Sequence, residues 1–132
     1  MSDWYGKARS NYFRVKDELK FTKWLGSMEE SPGELNVDKD KEGRLCIICS
    51  TFFGGWPQFD SDGEPIDFAA LLAPHLEENS IAVLQEIGAE KMRYLTGTAV
   101  ALNAKGVTRE VSICDIYKLA ADLGGEVTKA EW

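Results

Sequence analysis

The sequence has few of the residues that carry acid–base and metal chemistry near neutral pH. It contains one histidine, His75, and three cysteines among 132 residues. Catalysis near neutral pH would therefore centre on His75 or on a carboxylate with a shifted pKa. Neither a dinucleotide-binding glycine fingerprint nor a phosphate-binding loop occurs. We therefore assign no catalytic residue from the sequence and expect no cofactor.

Long apolar runs are also missing. No run approaches the roughly 18 residues that would span a bilayer, so no membrane partner is expected. The first residues lack the apolar core of a signal peptide, which predicts a cytoplasmic protein. Hydrophobic residues make up 44% of the chain, enough for a packed core. We found no repeat or interdomain linker, so residues 1–132 are predicted to form a single domain.

The cysteines do not suggest a disulfide framework. Their number is odd, and Cys46, Cys49 and Cys114 all lie in apolar stretches, so we predict reduced, buried thiols. Cys46 and Cys49 have CxxC spacing but fall in a predicted strand, where the period of two sends their sulfurs to opposite faces. A zinc site would need two further ligands, and only Cys114 and His75 remain. No metal site is predicted.

The acidic residues are concentrated in the middle of the chain. Residues 26–90 hold fourteen of the twenty-two acids and only three of the fifteen bases. The charges of residues 1–25, 26–90 and 91–132 are +3, −11 and +1, which sum to the net charge of −7. A field of this kind repels nucleic acid and attracts basic surfaces.

Hydrophobic periodicity predicts an α+β fold. The predicted order is a strand over 10–16, a helix capped by Asp17, a hairpin over 35–51, a short helix over 68–76 limited by Pro74, strands over 81–87, 92–102 and 107–113, and a last helix capped by Asp115. Hairpin connections favour an antiparallel sheet with helices to one side. We therefore expect a single two-layer domain, mainly antiparallel sheet with about three helices.

Two acidic clusters match calcium-binding loops in part. Asp38, Asp40, Glu42 and Gly43 match positions one, three, five and six of such a loop. The twelfth position, which should supply a bidentate carboxylate, is Cys49. In residues 60–67, Pro65 stands where the loop glycine belongs. Both clusters are predicted to be polar turns, and Asp67 is placed near the positive end of the following helix.

Trp56 lies in a glycine-rich turn beside the second cluster. Two interpretations remain open at this stage. An exposed tryptophan is a typical interface anchor, because it buries a large area at small entropic cost. The same residue could equally staple the turn onto the core.

Two segments resemble small proteins carried by bacteriophages and mobile elements. They are residues 4–17 (WYGKARSNYFRVKD) and 86–95 (EIGAEKMRYL), 24 of the 132 residues. The resemblance implies no fold and no catalytic residue. It implies a context, since small acidic phage proteins often inhibit host defence by occupying the nucleic-acid sites of restriction or CRISPR complexes.

The sequence hypothesis is therefore an inhibitor that binds a basic protein or nucleoprotein complex of the host and mimics nucleic acid, without contacting nucleic acid directly. Carboxylates on a rigid domain can occupy a groove that presents Lys and Arg for phosphates. The predicted partner-binding residues are Glu29, Glu30, Glu34, Asp38, Asp40, Trp56, Asp60, Asp62, Glu64, Asp67, Glu77 and Glu78.

Three alternatives remain. The first is a general interaction or regulatory module without catalytic activity. The second is a small enzyme, which would need His75 in a pocket with two carboxylates or a thiol. The third is nucleic-acid contact through the bases of the first strand and helix, and six bases offset by three acids over residues 1–25 disfavour it.

Overall fold

A computed structural model describes residues 4–29, 33–50, 55–91 and 94–130. The predicted partner-binding residue Glu30 lies outside these ranges. One antiparallel sheet has six strands, and the first two helices pack against one of its faces. The predicted α+β class and antiparallel sheet are confirmed. Among the described residues, no helix is long and apolar enough to cross a membrane.

The strand order in the sheet is β2-β3-β1-β4-β5-β6, so the first strand lies inside the sheet. The strands are β1 (Trp4–Ser10), β2 (Leu35–Lys39), β3 (Leu45–Cys49), β4 (Ala82–Glu90), β5 (Tyr94–Leu102) and β6 (Thr108–Ser112). The helices are α1 (Glu18–Ser27), α2 (Phe68–Leu72) and α3 (Ile116–Ala120). Short 3-10 turns at Ala73–His75, Ile113–Asp115 and Ala121–Leu123 flank α2 and α3.

The prediction of the first strand over 10–16 is wrong. The strand covers Trp4–Ser10, and the following segment makes only single bridges, Phe13 to Leu45 and Val15 to Leu76. The residues of β1 that face α1 and α2 are small: Gly6, Ala8 and Ser10. Because small residues do not give a hydrophobic alternation, the sequence pattern placed the strand too late.

The prediction of α1 is confirmed. The carboxylate of Asp17 accepts a hydrogen bond from the Lys20 amide (3.1 Å) and caps the helix. Phe21 and Leu25 are fully buried on the sheet side, and Trp24 and Met28 pack against the same core.

The core lies between the sheet and the two helices α1 and α2. Ser10 is its buried polar residue, and its hydroxyl accepts from the Ile47 amide (2.8 Å) and donates to the Asn11 carbonyl (2.8 Å). The backbone pairing of β1 with β3 covers only Ala8–Cys49 and Arg9–Ile48. At the next position, the Ser10 hydroxyl takes the place of a backbone acceptor for the Ile47 amide. The backbone groups there are satisfied although the strands diverge.

The last helix is not buried. The side chain of Ser112 and that of Asp115 form a capping box around the 3-10 turn that leads into α3. No residue of α3 or of the turns flanking it is buried. Ile116, Leu119 and Leu123 have the spacing of one helix face, and all three are exposed.

The cysteine predictions hold in part. Cys46 and Cys49 are buried free thiols, and only Cys49 belongs to the core cluster below the helices. Opposite faces of β3, as the strand period predicts, account for this difference. The prediction that Cys114 is buried is wrong, since this thiol is exposed in the turn before α3. Among the described residues, no three His, Cys, Asp or Glu side chains are grouped to hold a metal ion.

Candidate protein-docking surface

Residues 58–66 form a short hairpin between β3 and α2, which we call the acidic hairpin. The Ile66 amide donates to the Gln58 carbonyl and the Asp60 amide to the Glu64 carbonyl, both at 2.9 Å. The Gly63 amide closes the turn on the Asp60 carbonyl (3.0 Å). Gly63 has a φ of 80°, which side-chain-bearing residues adopt at a cost.

The carboxylates of this segment have different roles. Asp60 Oδ1 accepts from the amides of Asp62 and Glu64, both at 2.9 Å, and so shapes the turn. Asp67 caps α2 by accepting from the Ala70 amide (3.3 Å). Asp62 and Glu64 are exposed, and neither forms an ion pair within the described ranges. These two carboxylates are the ones left to contact a partner.

Two hydrogen bonds, which we call the clip, fasten the acidic hairpin to the sheet. The Gly55 carbonyl accepts from Cys49 Sγ (3.1 Å) on β3, and the Trp56 amide donates to Glu86 Oε1 (3.2 Å) on β4. A Cβ at Gly55 would lie 2.6 Å from Glu86 Oε1, so a side chain there would displace the carboxylate that binds the Trp56 amide. Cys49 and Glu86 both pair with Ala8 of β1, whose small side chain leaves room for the clip.

Trp56 is half-buried and belongs to a column of aromatic rings. It stacks on Phe68 (5.4 Å between ring centroids), Phe68 on Trp24 (5.3 Å), and Trp24 on His75 (4.7 Å). The structure therefore places Trp56 as a staple between the hairpin and the core. An exposed anchor for a partner must be sought elsewhere.

Phe59 in the acidic hairpin and Leu71 on α2 are exposed apolar residues of this region. Phe59 is 53% exposed and lies opposite Pro65 in the hairpin, and Leu71 is 39% exposed on α2. The sequence analysis missed both. An aromatic residue next to Asp60 in an otherwise polar turn, outside any apolar period, was the pattern that could have revealed Phe59.

Glu77 and Glu78 lie at the other end of α2. Both are exposed, and neither side chain forms an ion pair with any described residue. The Glu77 amide donates to the Arg14 carbonyl (2.9 Å), which fixes the chain beside the segment before α1. The candidate docking surface thus comprises the acidic hairpin and α2, with Glu77 and Glu78 at its far end.

The predicted partner-binding residue Asp40 and its neighbour Glu42, in the β2–β3 turn, are both engaged by bases. Asp40 accepts from Arg44 Nε (2.7 Å) and from the Arg44 amide (2.9 Å). Glu42 pairs with Arg44 (3.4 Å) and more distantly with Arg14 (3.9 Å). Desolvation opposes ionisation of Asp40, but the hydrogen bonds from Arg44 outweigh it and lower the pKa of Asp40. These charges are largely compensated within the chain.

Glu29 and Glu34 are half-buried in the connection between α1 and β2. Glu29 Oε2 accepts a hydrogen bond from the Glu34 amide (2.9 Å). This bond holds the start of β2 near the end of α1. We assign Glu29 a structural role and leave it out of the docking surface.

Asp38 is bound by Tyr12. The Tyr12 hydroxyl donates to Asp38 Oδ2 (2.9 Å), and this bond, with a smaller contribution from Cys46, raises the pKa of Tyr12 to about 12. Because folding raises this pKa, the stabilisation is complete below about pH 10, the usual pKa of tyrosine, and is lost as the pH rises towards 12.

We expect Asp38→Ala to lower the pKa of one tyrosine towards about 10, because the bond to the carboxylate is removed. Spectrophotometric titration of wild type and variant measures the change. Asp62→Ala is the matched control and should leave the titration as in wild type. An unchanged titration of Asp38→Ala would mean that the bond to Tyr12 does not form in solution.

His75 serves as a packing surface in the aromatic column. Its ring lies on Trp24 and edge-on to Phe21 (6.0 Å), and partial burial lowers its pKa. In the part of the chain that the structure describes, its ring forms no hydrogen bond or ion pair with a carboxylate or thiol.

The bases of the first segment do not converge on one surface. Lys7 and Arg9 alternate with the buried residues of β1 and face away from the helices. Lys20 and Lys23 are exposed on α1, on the other side of the sheet. A single basic groove for a nucleic-acid backbone is therefore not formed by these residues.

Comparison with protein-family models, with curated proteins and with solved structures finds no significant match for this chain.

Proposed function

We propose that this protein acts by binding and has no catalytic role. In this proposal it docks the acidic hairpin and α2 onto a basic surface of a host complex in the cytoplasm, such as the nucleic-acid groove of a CRISPR or restriction complex, and inhibits it. The observation that carries the proposal is the pair of uncompensated carboxylates, Asp62 and Glu64, held next to exposed Phe59 on an anchored hairpin.

The chemistry of such an interface is competition with phosphates. A groove that binds nucleic acid presents Lys and Arg at spacings that neutralise phosphates. Carboxylates at the tip of the hairpin would pair with these bases, and Phe59 would add apolar burial at the centre of the contact. The net charge of −7 would accelerate association with a positive surface.

The rigidity of the acidic hairpin supports this use. Asp60 holds the turn, the clip of Gly55 and Trp56 fastens it to the sheet, and the Asp67 cap joins it to α2. A preformed loop loses little conformational entropy when it binds. More of the interaction energy then appears as affinity.

The test compares two double variants of equal net charge. Asp62→Lys with Glu64→Lys reverses the tip of the acidic hairpin. Glu110→Lys with Glu126→Lys reverses two exposed acids elsewhere, neither of them ion-paired within the described ranges. Each protein is expressed in a host with an active CRISPR or restriction system, and phage survival and capture of the defence complex are measured.

We expect wild type and the control pair to raise phage survival and capture the complex, with capture falling as salt rises. The hairpin variant should lose at least about tenfold in capture, because two attractive charges become repulsive. Capture of a basic protein without any effect on defence would favour the general interaction module. Equal behaviour of the two variants would rule out the hairpin as the docking surface.

A further inference from the structure

The face of the sheet opposite the helices is uncovered and apolar at its centre. Ile87 on β4 and Val111 on β6 are each 60% exposed there, and Tyr5 on β1 is also exposed. They line two adjoining grooves of about 750 and 650 Å³ across β1, β4, β5 and β6. We call this surface the sheet groove. An apolar sheet face of this size normally has a partner.

A second uncovered apolar surface lies in the same chain. Residues 113–123, which we call the C-terminal arm, contain α3 and its two flanking turns. Ile116, Leu119 and Leu123 are spaced to share one face of the arm, and they are 57%, 64% and 87% exposed. Helix α3 packs mainly against the two turns that flank it, and none of its residues is buried.

The root of the arm already lies on the sheet groove. Gly97 of β5 faces the groove, and a Cβ there would be 3.0 Å from Ile113 Cγ2 and 3.7 Å from Ile87 Cγ2. Ile113 therefore sits on the groove floor because residue 97 has no side chain. Beyond Ile113, the apolar side chains of the arm at positions 116, 119 and 123 are exposed.

The charges of the two surfaces are complementary. Lys7 and Arg9 of β1 face the groove side, and both line it. The arm carries Asp115 and Asp122 against one base, Lys118. An apolar arm with a net charge of −1 therefore matches an apolar groove lined by two bases and one acid, Glu86.

We propose that the sheet groove binds the C-terminal arm of a second copy of this chain, and that the exchange is reciprocal. The result is a symmetric dimer in which each arm covers the groove of the other chain. A two-fold interface uses every contact twice. The exposed apolar side chains of one groove and one arm amount to roughly 1,000 Å², so two such contacts reach the size that a stable dimer buries.

The experiment measures the mass of the full chain in solution over a range of concentrations, by light scattering and sedimentation. Leu119→Glu tests the arm, and Ile87→Glu tests the groove. Leu19→Glu is the matched control, because Leu19 is 81% exposed on α1, outside both surfaces. Circular dichroism checks that each variant is folded, and Val111→Glu replaces Ile87→Glu if the latter is not.

We expect wild type and Leu19→Glu to sediment as dimers of about 29 kDa, twice the monomer mass of 14.7 kDa. Leu119→Glu and Ile87→Glu should each raise the dimer dissociation constant by at least about tenfold, because each places a charge in the interface twice. A mixture of the two variants should regain part of the association, since one chain keeps the arm and the other the groove.

A monomeric wild type at every concentration would overturn the proposal. So would a dimer that both variants leave intact, because the interface would then lie elsewhere. A monomer whose groove binds single-stranded nucleic acid or another protein in place of a second copy would overturn it as well. None of these results depends on capture of a host complex, so the dimer and the docking proposal fail independently.

Discussion

Replacing Phe21 by alanine is expected to lower the free energy of unfolding by about 3–5 kcal/mol, the largest effect of a single substitution that we predict. Phe21 is fully buried in α1. Its ring meets Phe13 edge-on (5.9 Å between centroids) and also contacts Trp24 and His75. Truncation leaves a cavity between α1, the segment after β1 and the turn after α2, and these elements are tied together by backbone hydrogen bonds that restrict collapse.

The measurement is urea unfolding followed by fluorescence and circular dichroism. Leu19→Ala, two residues away on the exposed side of the same helix, is the control and should change stability by less than about 0.5 kcal/mol. If the two variants lost similar stability, the packing of α1 on the sheet would have to differ from the arrangement described here. If the slope of the unfolding free energy against urea concentration were smaller for Phe21→Ala than for wild type, the transition of the variant would be less cooperative.

Local patterns predicted α1 and α2 well. Asp17 and Asp67 each cap a helix, and the spacing of Phe21 and Leu25 defines the buried stripe of α1. Caps and stripes depend on residues within about two turns, so they are visible in the sequence. The position of β1 was not visible in the sequence, because its buried side is made of Gly6, Ala8 and Ser10, which give no hydrophobic alternation.

The candidate site was predictable only in part. The sequence locates the acids but does not indicate which of them meet a base. Arg44 engages Asp40 within the same turn, whereas Arg14 approaches Glu42 across 28 positions. Tyr12 reaches Asp38 across 26 positions. Contacts at such separations follow from strand order, which the sequence pattern did not provide.

The same limit applies to the sheet groove. Lys7, Ile87 and Val111 are ordinary outward residues of three separate strands. They become one surface because β1, β4, β5 and β6 are neighbours in the sheet. The arm likewise has the spacing of a packed helix, and only the fold shows that Ile116, Leu119 and Leu123 are exposed.

The docking surface and the sheet groove lie on different sides of the sheet. The acidic hairpin joins the helical layer through the stack of Trp56 on Phe68, while the groove lies on the opposite face. A dimer formed through the groove would keep both acidic hairpins accessible. Two hairpins on one particle could engage two basic sites of a large complex, and the second contact would be strengthened by its high effective concentration.

The coupling between the acidic hairpin and the core leads to the second prediction of large effect. Trp56→Ala is expected to lower the free energy of unfolding by about 2–3 kcal/mol, less than a fully buried aromatic residue because Trp56 is half-buried. The end ring of the column is lost, and the hairpin keeps the Asp67 cap and two hydrogen bonds to the sheet, from Cys49 Sγ to the Gly55 carbonyl and from the amide of residue 56 to Glu86. We expect the amide hydrogens of Asp60, Gly63 and Ile66 to exchange faster, which hydrogen exchange measures.

Trp56→Phe is the control that separates stacking from size and polarity. It keeps a ring on Phe68 and removes the indole Nε1–H, which is buried and has no hydrogen-bond partner among the described residues. Since an unsatisfied buried donor is destabilising, its removal offsets part of the lost contact area, and the change should stay below about 1 kcal/mol. Faster exchange in the alanine variant alone would show that the ring stack holds the hairpin in place. Unchanged exchange in both variants would mean that the hairpin is held by its own turn and the cap of α2.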